Sequence, residues 1–286
     1  MVYFRLYGNL GNLLFQYATA VSLGRGTAVG VTDSPKTLAQ LKEYGRLFDG
    51  LETVSQAPAG VQVVKQFRCD PTPFPDPAGR DLLLDGYFQS EQYFDRALVH
   101  SLFRPSAGRV ARLQAKYADI LSRPGVTGIS VRRGDYLRKA AWHPFVGERY
   151  FRDCLARLPD VKDFVVCSDG LPWCRAFFPR AFPDRNFCFV EGESVLDQLC
   201  VHVLCANNVV SNSSFSWWGA WLAEQRRREA GTRGRTLAPS MWLGFAPKKE
   251  GATWDDIYFD GMEVVRNRYT FRLWLAAHWP VFAEKA

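Results

Sequence analysis

The chain has 286 residues, 47% of them apolar, enough for one large domain or two of ordinary size with a sizeable core. Its formal net charge of +7 favours anionic partners such as nucleotides, nucleic acid, phospholipid surfaces or acidic glycans, or simply keeps the chain in solution. No run approaches the roughly 18 apolar residues of a membrane span, and "MVYFRLYGNLGN" lacks the basic and apolar regions of a signal peptide. The expectation is a cytoplasmic protein, with a peripheral place at the inner membrane surface left open.

In chain order, "VYFRLY" (2–7) predicts a strand, "GNLGN" (8–12) a loop and "LLFQYATAVSLGRG" (13–26) a helix ending at glycine. "TAVGVT" (27–32) and "DLLLDG" (81–86) fit further strands, and Ser90 is placed to cap a helix over 90–103. The Pro-rich stretch 69–79 reads as an excursion rather than a linker, because the pattern resumes at once. From about residue 124 the rhythm restarts: strand 126–134, helix 147–158, strand 163–170, helix 194–206, strand 207–212, helix 214–228 and a short strand 235–239. Such alternation implies parallel sheets covered on both faces. Two α/β domains are expected, 1–123 and 124–286, the last helical stretch (267–279) being able to pack back on the first.

The seven cysteines form no CxxC pair and several lie in apolar runs, so buried reduced thiols are expected rather than disulfides or zinc. The arginines of "EQRRRE" read as a solvated helix end, and no nucleic-acid partner is expected. There is no GxxxxGK[ST] loop, no HExxH and no Asp-x-Asp. Without a metal, arginines and helix amides would have to balance a leaving diphosphate.

Three stretches can carry chemistry. "SNSSFSWWGAWL" (211–222) puts four serines before three tryptophans, where a strand gives way to a helix. A helix start offers unpaired amides and small hydroxyls to an anion; an ordinary capped helix has the same sequence. Trp217 and Trp221 share a helix face, which suits core packing beneath the loop. "SVRRGDYL" (130–137) places two arginines, a glycine and an aspartate after a strand. Adjacent arginines there point opposite ways, so one can face a phosphate while the other braces the loop; a surface salt-bridged turn reads the same. "GNLGN" is only loosely like a dinucleotide fingerprint and says that backbone passes close to a ligand or a helix.

Taken together and in order, "GNLGNLLFQYA" (8–18), "SVRRGDY" (130–136) and "SNSSFSWWGAWL" resemble the α1,2-fucosyltransferases, glycosyltransferase family eleven. That family's pattern runs GGLGNQMFQYA, HxRRGDY and NSSFSWWGAWL. The resemblance implies an α/β, GT-B-like fold of two Rossmann-type domains facing a cleft. It implies inverting, metal-independent transfer of fucose from GDP-β-L-fucose to the 2-hydroxyl of a terminal galactose, GDP-fucose being a substrate and no cofactor being needed. It implies that Arg132 clamps the diphosphate, that Arg133 shapes the loop or adds charge, and that Asn212, Ser213 and Ser214 hold phosphate oxygens. Asp169 falls at the family's acidic position near the guanine, and Gly11 and Asn12 approach the fucose-phosphate from the other domain. Asp135 leads as the catalytic base, with Glu148 and His143 as alternatives. Ser130 stands where the family has histidine, and Asn9 and Leu13 where it has glycine and glutamine, so nucleoside and acceptor contacts are expected to differ there.

Overall fold

Two compact units make up the protein in the computed structural model, which describes residues 1–66, 79–246 and 253–267. The first unit comprises Met1–Arg104 with Ala252–Phe259, the second Pro105–Gly251 with Asp260–Ala286.

The first unit is built on β1 (Val2–Arg5), α1 (Leu10–Leu23), β2 (Val29–Val31), α2 (Pro35–Tyr44), β3 (Glu52–Val54), β4 (Gln62–Gln66), β5 (Leu82–Gly86) and α3 (Arg96–Phe103). Its strands pair in parallel in the order β3-β2-β1-β5-β4. Helix α1 is buried nearly all round, from Leu10 to Val21, which is why its sequence is apolar on every face. It begins three residues earlier than the apolar run indicated, with Asn9 at its cap. Ser90 caps only a short turn, Glu91–Tyr93; the following helix takes Asp95 as its cap, whose carboxylate accepts from the Leu98 N–H at 2.7 Å.

The second unit runs α4 (Ala107–Lys116), α5 (Ala118–Leu121), β6 (Thr127–Val131), α6 (Glu148–Ala156), β7 (Asp163–Ser168), α7 (Leu171–Ala181), β8 (Asn186–Phe189), α8 (Val195–Leu204), β9 (Asn207–Val209), α9 (Ser214–Glu229), β10 (Thr236–Pro239) and β11 (Met262–Val265). All pairs are parallel, in the order β11-β10-β9-β6-β7-β8. Strand β7 shows the double coverage directly. Phe164 and Val166 join the core beneath α6 and α7, while Val165 and Cys167 join the core beneath α4 and α8. Two parallel α/β units of Rossmann type are thus present, as the resemblance implies.

The units divide at Arg104 and Pro105 rather than at 123 and 124. Leu113 of α4 and Ile120 of α5 pack in one cluster with Val165 and Val201, so this helical stretch covers the second sheet. The predicted helix at 267–279, Cys69 and most of the Pro-rich stretch lie outside the described residues. The six described cysteines are free, five of them buried. Trp217, Trp218 and Trp221 are fully buried and pack against one another, the core role expected of them. Arg227, expected at a solvated helix end, is only 2% exposed; its guanidinium binds Glu224, the Ala206 carbonyl and Thr236. Among the described residues no helix is long and apolar enough to cross a membrane.

Candidate functional site

The order of the second sheet reverses at β6, which has β9 on one side and β7 on the other. Ligands of open α/β sheets bind at the carboxyl ends of the strands where such a reversal opens a crevice. Arg132 follows β6, Asp169 follows β7, and Asn212 to Ser214 follow β9, so one sheet edge gathers these sequence-predicted residues.

Arg132 spans two carboxylates. One end of its guanidinium lies 2.7 Å from Asp169 Oδ2 and the other 2.6 Å from Asp135 Oδ1, and its plane lies over the Tyr136 ring at 5.3 Å. The side chain remains 31% exposed, within reach of a ligand. Arg133 turns the other way, as alternation at a strand end dictates. It is 6% exposed and lies 4.3 Å from the Trp173 ring centroid and 5.7 Å from that of Phe145. Its Nη1 is buried without a hydrogen-bond partner, and burial draws its pKa down. Arg133 therefore braces the loop, and its backbone N–H donates to Asp169 Oδ1 at 2.7 Å.

Both oxygens of Asp169 are thus committed, one to a main-chain amide and one to a guanidinium. This differs from the expected guanine reader, whose carboxylate must be open to a base. Asp135 also accepts from Lys139 at 3.3 Å. Burial raises its carboxyl, but Arg132 and Lys139 outweigh burial and hold it below the ordinary carboxylate value.

The turn Gly134–Leu137 carries Tyr136, whose hydroxyl donates to the Asn212 carbonyl at 3.0 Å and whose ring stacks on His143 at 4.9 Å. Burial lowers the His143 pKa; Asp135 opposes that and the two neighbouring cations add to it. The other alternative base, Glu148, pairs with Arg180 and Arg152.

Asn212 is 2% exposed and its amide nitrogen donates to the Trp242 carbonyl at 2.9 Å. That bond fixes the amide orientation and leaves buried Oδ1 without a hydrogen-bond partner. The second N–H of that nitrogen is the donor left for a phosphate oxygen. Ser213 stands at the cap of α9, yet its hydroxyl makes no capping bond, and Ser214 opens the helix. The Ser213 hydroxyl thus stays off the first turn of this sixteen-residue helix, whose amino end carries the positive pole of its dipole. Ser130 lies beneath, its hydroxyl 2.7 Å from that of Ser216, which is 3.2 Å from that of Ser211. At the family's histidine position this chain has a buried hydroxyl relay between β6 and α9.

Gly11 and Asn12 belong to the first unit, in the first turn of α1. Asn12 Oδ1 accepts from Gln89 at 2.9 Å, joining the loops after β1 and β5. Gly8 has φ +98°, and a β-carbon there would fall 2.6 Å from Asn12 Nδ2. Leu13 is fully buried on α1, so it packs in the core. Three contributors escaped the sequence reading. Gln16 exchanges two hydrogen bonds with the Tyr7 backbone; its signal was one amide in an otherwise apolar helix. Trp173 carries Arg133, and Tyr136 carries Arg132 and holds the Asn212 carbonyl.

The model of the family Glycosyl transferase family 11 matches residues 75–229. An Escherichia coli alpha-1,2-colitosyltransferase is 29% identical over 168 residues, covering 55% of each chain. A galactoside alpha-(1,2)-fucosyltransferase 2 of Oryctolagus cuniculus is 34% identical over 110 residues, 35% of this chain and 31% of that one. The chain spans about half the length, or less, of these curated relatives. The crystal structure of the fucosyltransferase NodZ from Bradyrhizobium aligns with 76% of this chain and 92% of its own, at 15% identity and a TM-score of 0.48.

Proposed function

The chain belongs to glycosyl transferase family 11, and on that footing we propose that it transfers L-fucose from GDP-β-L-fucose to the 2-hydroxyl of a terminal galactose. The observation that supports this most is Arg132, a partly exposed guanidinium held at the switch point where Asp135, Asp169 and the loop before α9 converge. In the proposed reaction the galactose 2-oxygen attacks the fucose anomeric carbon from the face opposite the diphosphate. The bond from that carbon to the phosphate oxygen breaks, the diphosphate keeps the electron pair, and the configuration inverts. Arg132 and the α9 amides, with Ser213 and Ser214, neutralise the charge that builds on the leaving group.

The acceptor proton goes to Asp135. Paired with Arg132 and Lys139 its carboxylate binds a proton weakly. When Arg132 turns to the diphosphate, Asp135 loses its stronger cation and its basicity rises. The reading therefore couples donor binding to base activation. No metal takes part in it: the chain has no Asp-x-Asp bridge, and a guanidinium with helix amides supplies the positive charge.

The alternative reading is a different GDP-sugar donor at the same site. The Escherichia coli relative is named as a colitosyltransferase, and colitose differs from fucose in lacking one hydroxyl. The test is turnover of GDP-fucose with lactose in EDTA, with the product linkage read by NMR. A new α1,2-fucosyl galactose is expected. Turnover of GDP-colitose but not GDP-fucose selects the second donor, and failure with both donors on every galactoside overturns the reading. Arg132→Ala is expected to lower kcat about 10²- to 10³-fold while the fold survives.

A further inference from the structure

Trp142 is the only aromatic among the large apolar side chains that the described residues leave well exposed, at 47%. The other residues of that group are Met1, Leu38, Val63 and Val264. It was not a candidate from the sequence, and nothing in the proposed reaction has yet used it.

Its backbone is held on both sides. The Trp142 N–H donates to the Lys139 carbonyl at 2.9 Å, and the Trp142 carbonyl accepts from the Gly244 N–H at 2.8 Å. Its neighbours are fixed as well: Ala246 N–H donates to the Ala141 carbonyl at 3.0 Å, and His143 stacks on Tyr136, the ring under Arg132. Lys139 ties this turn to Asp135 through its ammonium. An indole is thus displayed on a pinned backbone, two hydrogen-bonded turns along the chain from the residue proposed to receive the acceptor proton, the Lys139 N–H donating to the Asp135 carbonyl at 3.1 Å. Exposing such a ring is unfavourable in water, and pinning it in advance lowers the ordering needed when a ligand covers it.

We infer that Trp142 is the platform on which the acceptor galactose stacks. Galactose carries an apolar patch of C–H groups on one face and hydroxyls around its rim. The electron-rich face of an indole meets such C–H groups, while Asp135 and Lys139, paired at 3.3 Å earlier in the same loop, suit the rim. An acceptor whose 2-hydroxyl reaches Asp135 has its ring on the Asp135–Lys139–Trp142 side of the site. This rests on the proposed transfer to galactose and on Asp135 as its base. Guanine, also flat and able to stack on indole, belongs with the diphosphate and is the competing occupant that the test separates.

The test uses Trp142→Ala and Trp142→Phe in the whole protein, each first shown to bind GDP by calorimetry as the parent does. Trp142→Ala is expected to raise the lactose KM at least about tenfold and to leave the GDP-fucose KM within about twofold. Trp142→Phe, which keeps a ring, is expected to recover most of the loss. An unchanged lactose KM, a phenylalanine variant as poor as the alanine one, or a loss that falls on GDP affinity instead overturns the inference. Fluorescence titration with lactose in the presence of GDP decides it even where no turnover is found. A change seen in the parent and lost in Trp142→Phe supports it, and no difference between the two overturns it. Failure of transfer to every galactoside, by contrast, bears on the proposed function alone.

Discussion

Gly134 and the carboxylate of Asp169 lie closer together than any other residue at position 134 would allow: a β-carbon there would fall 2.3 Å from Asp169 Oδ2. The backbone at Gly134 is not left-handed, so alanine is disfavoured by this contact alone. Gly134→Ala is expected to push Asp169 aside and break its 2.7 Å pairing with Arg132. The melting temperature should change little, while the KM for GDP-fucose rises about tenfold, the equivalent of about 1.4 kcal/mol. Steady-state kinetics beside a thermal shift measurement checks both.

Asp169 acts on the donor through Arg132 when both its oxygens are committed as they are here. Asp169→Asn should then weaken GDP and inorganic pyrophosphate together, each by roughly ten- to a hundredfold, the range of a charged hydrogen bond. A loss confined to GDP would instead mark the carboxylate as a reader of the base. Calorimetry with the two ligands separates these outcomes.

Ser130→Ala removes one hydroxyl from the relay with Ser216 and Ser211. A loss of about 1 kcal/mol of stability is expected from the broken buried hydrogen bond. GDP affinity should stay within about twofold, because the hydroxyl faces α9. Denaturant unfolding and GDP titration of the same variant give both numbers.

His202 makes stability depend on pH. Its ring is 1% exposed on α8, with Nδ1 3.3 Å from Asn208 Oδ1, and desolvation lowers its pKa from 6.5 to about 4 against the smaller pull of Asn208. The unfolded chain therefore takes up a proton near pH 6.5 that the folded protein refuses until about pH 4. Stability contributed by the neutral ring is whole above the first value and drains away as pH falls to the second, by roughly 3 kcal/mol in all. Urea midpoints across this range should slope downward in the parent and flatten in His202→Gln. Gly128 and Gly219 make the space for this ring, since a β-carbon at either would lie 2.8 Å from His202.

The parallel strands of the second unit were legible because they are buried on both faces. The segments 163–168 and 236–239 are largely apolar, and 127–131 and 207–209 carry only small or neutral polar residues beside theirs. Strands β3 and β4 were not, because they lie at sheet edges and are largely exposed or half-buried, so polar residues interrupt them. The unit boundary was misplaced because α4 and α5 carry no mark of which sheet they cover; only the burial of Leu113 and Ile120 against the second sheet decides it. For the site, the motifs named Arg132, Asp169 and Asn212 to Ser214, which the fold gathers at the carboxyl ends of the second sheet, and Gly11 and Asn12, which lie in the first unit. They could not show that Arg132 takes partners both 3 and 37 positions away, or that the Asn212 amide donates to Trp242, since those depend on tertiary approach.

Residues 252–259 rejoin the first unit after the chain has passed through nearly all of the second, with Gln92 bonded to Asp256 at 3.0 Å, and β11 then returns to complete the second sheet beside β10. The two units are therefore interleaved along the chain: the first lacks its last piece until synthesis has passed Phe259, the second until it has passed Val265. A nascent chain released at residue 250 would lack the last piece of both, so the two units mature together once residues 253–265 have been made instead of one after the other.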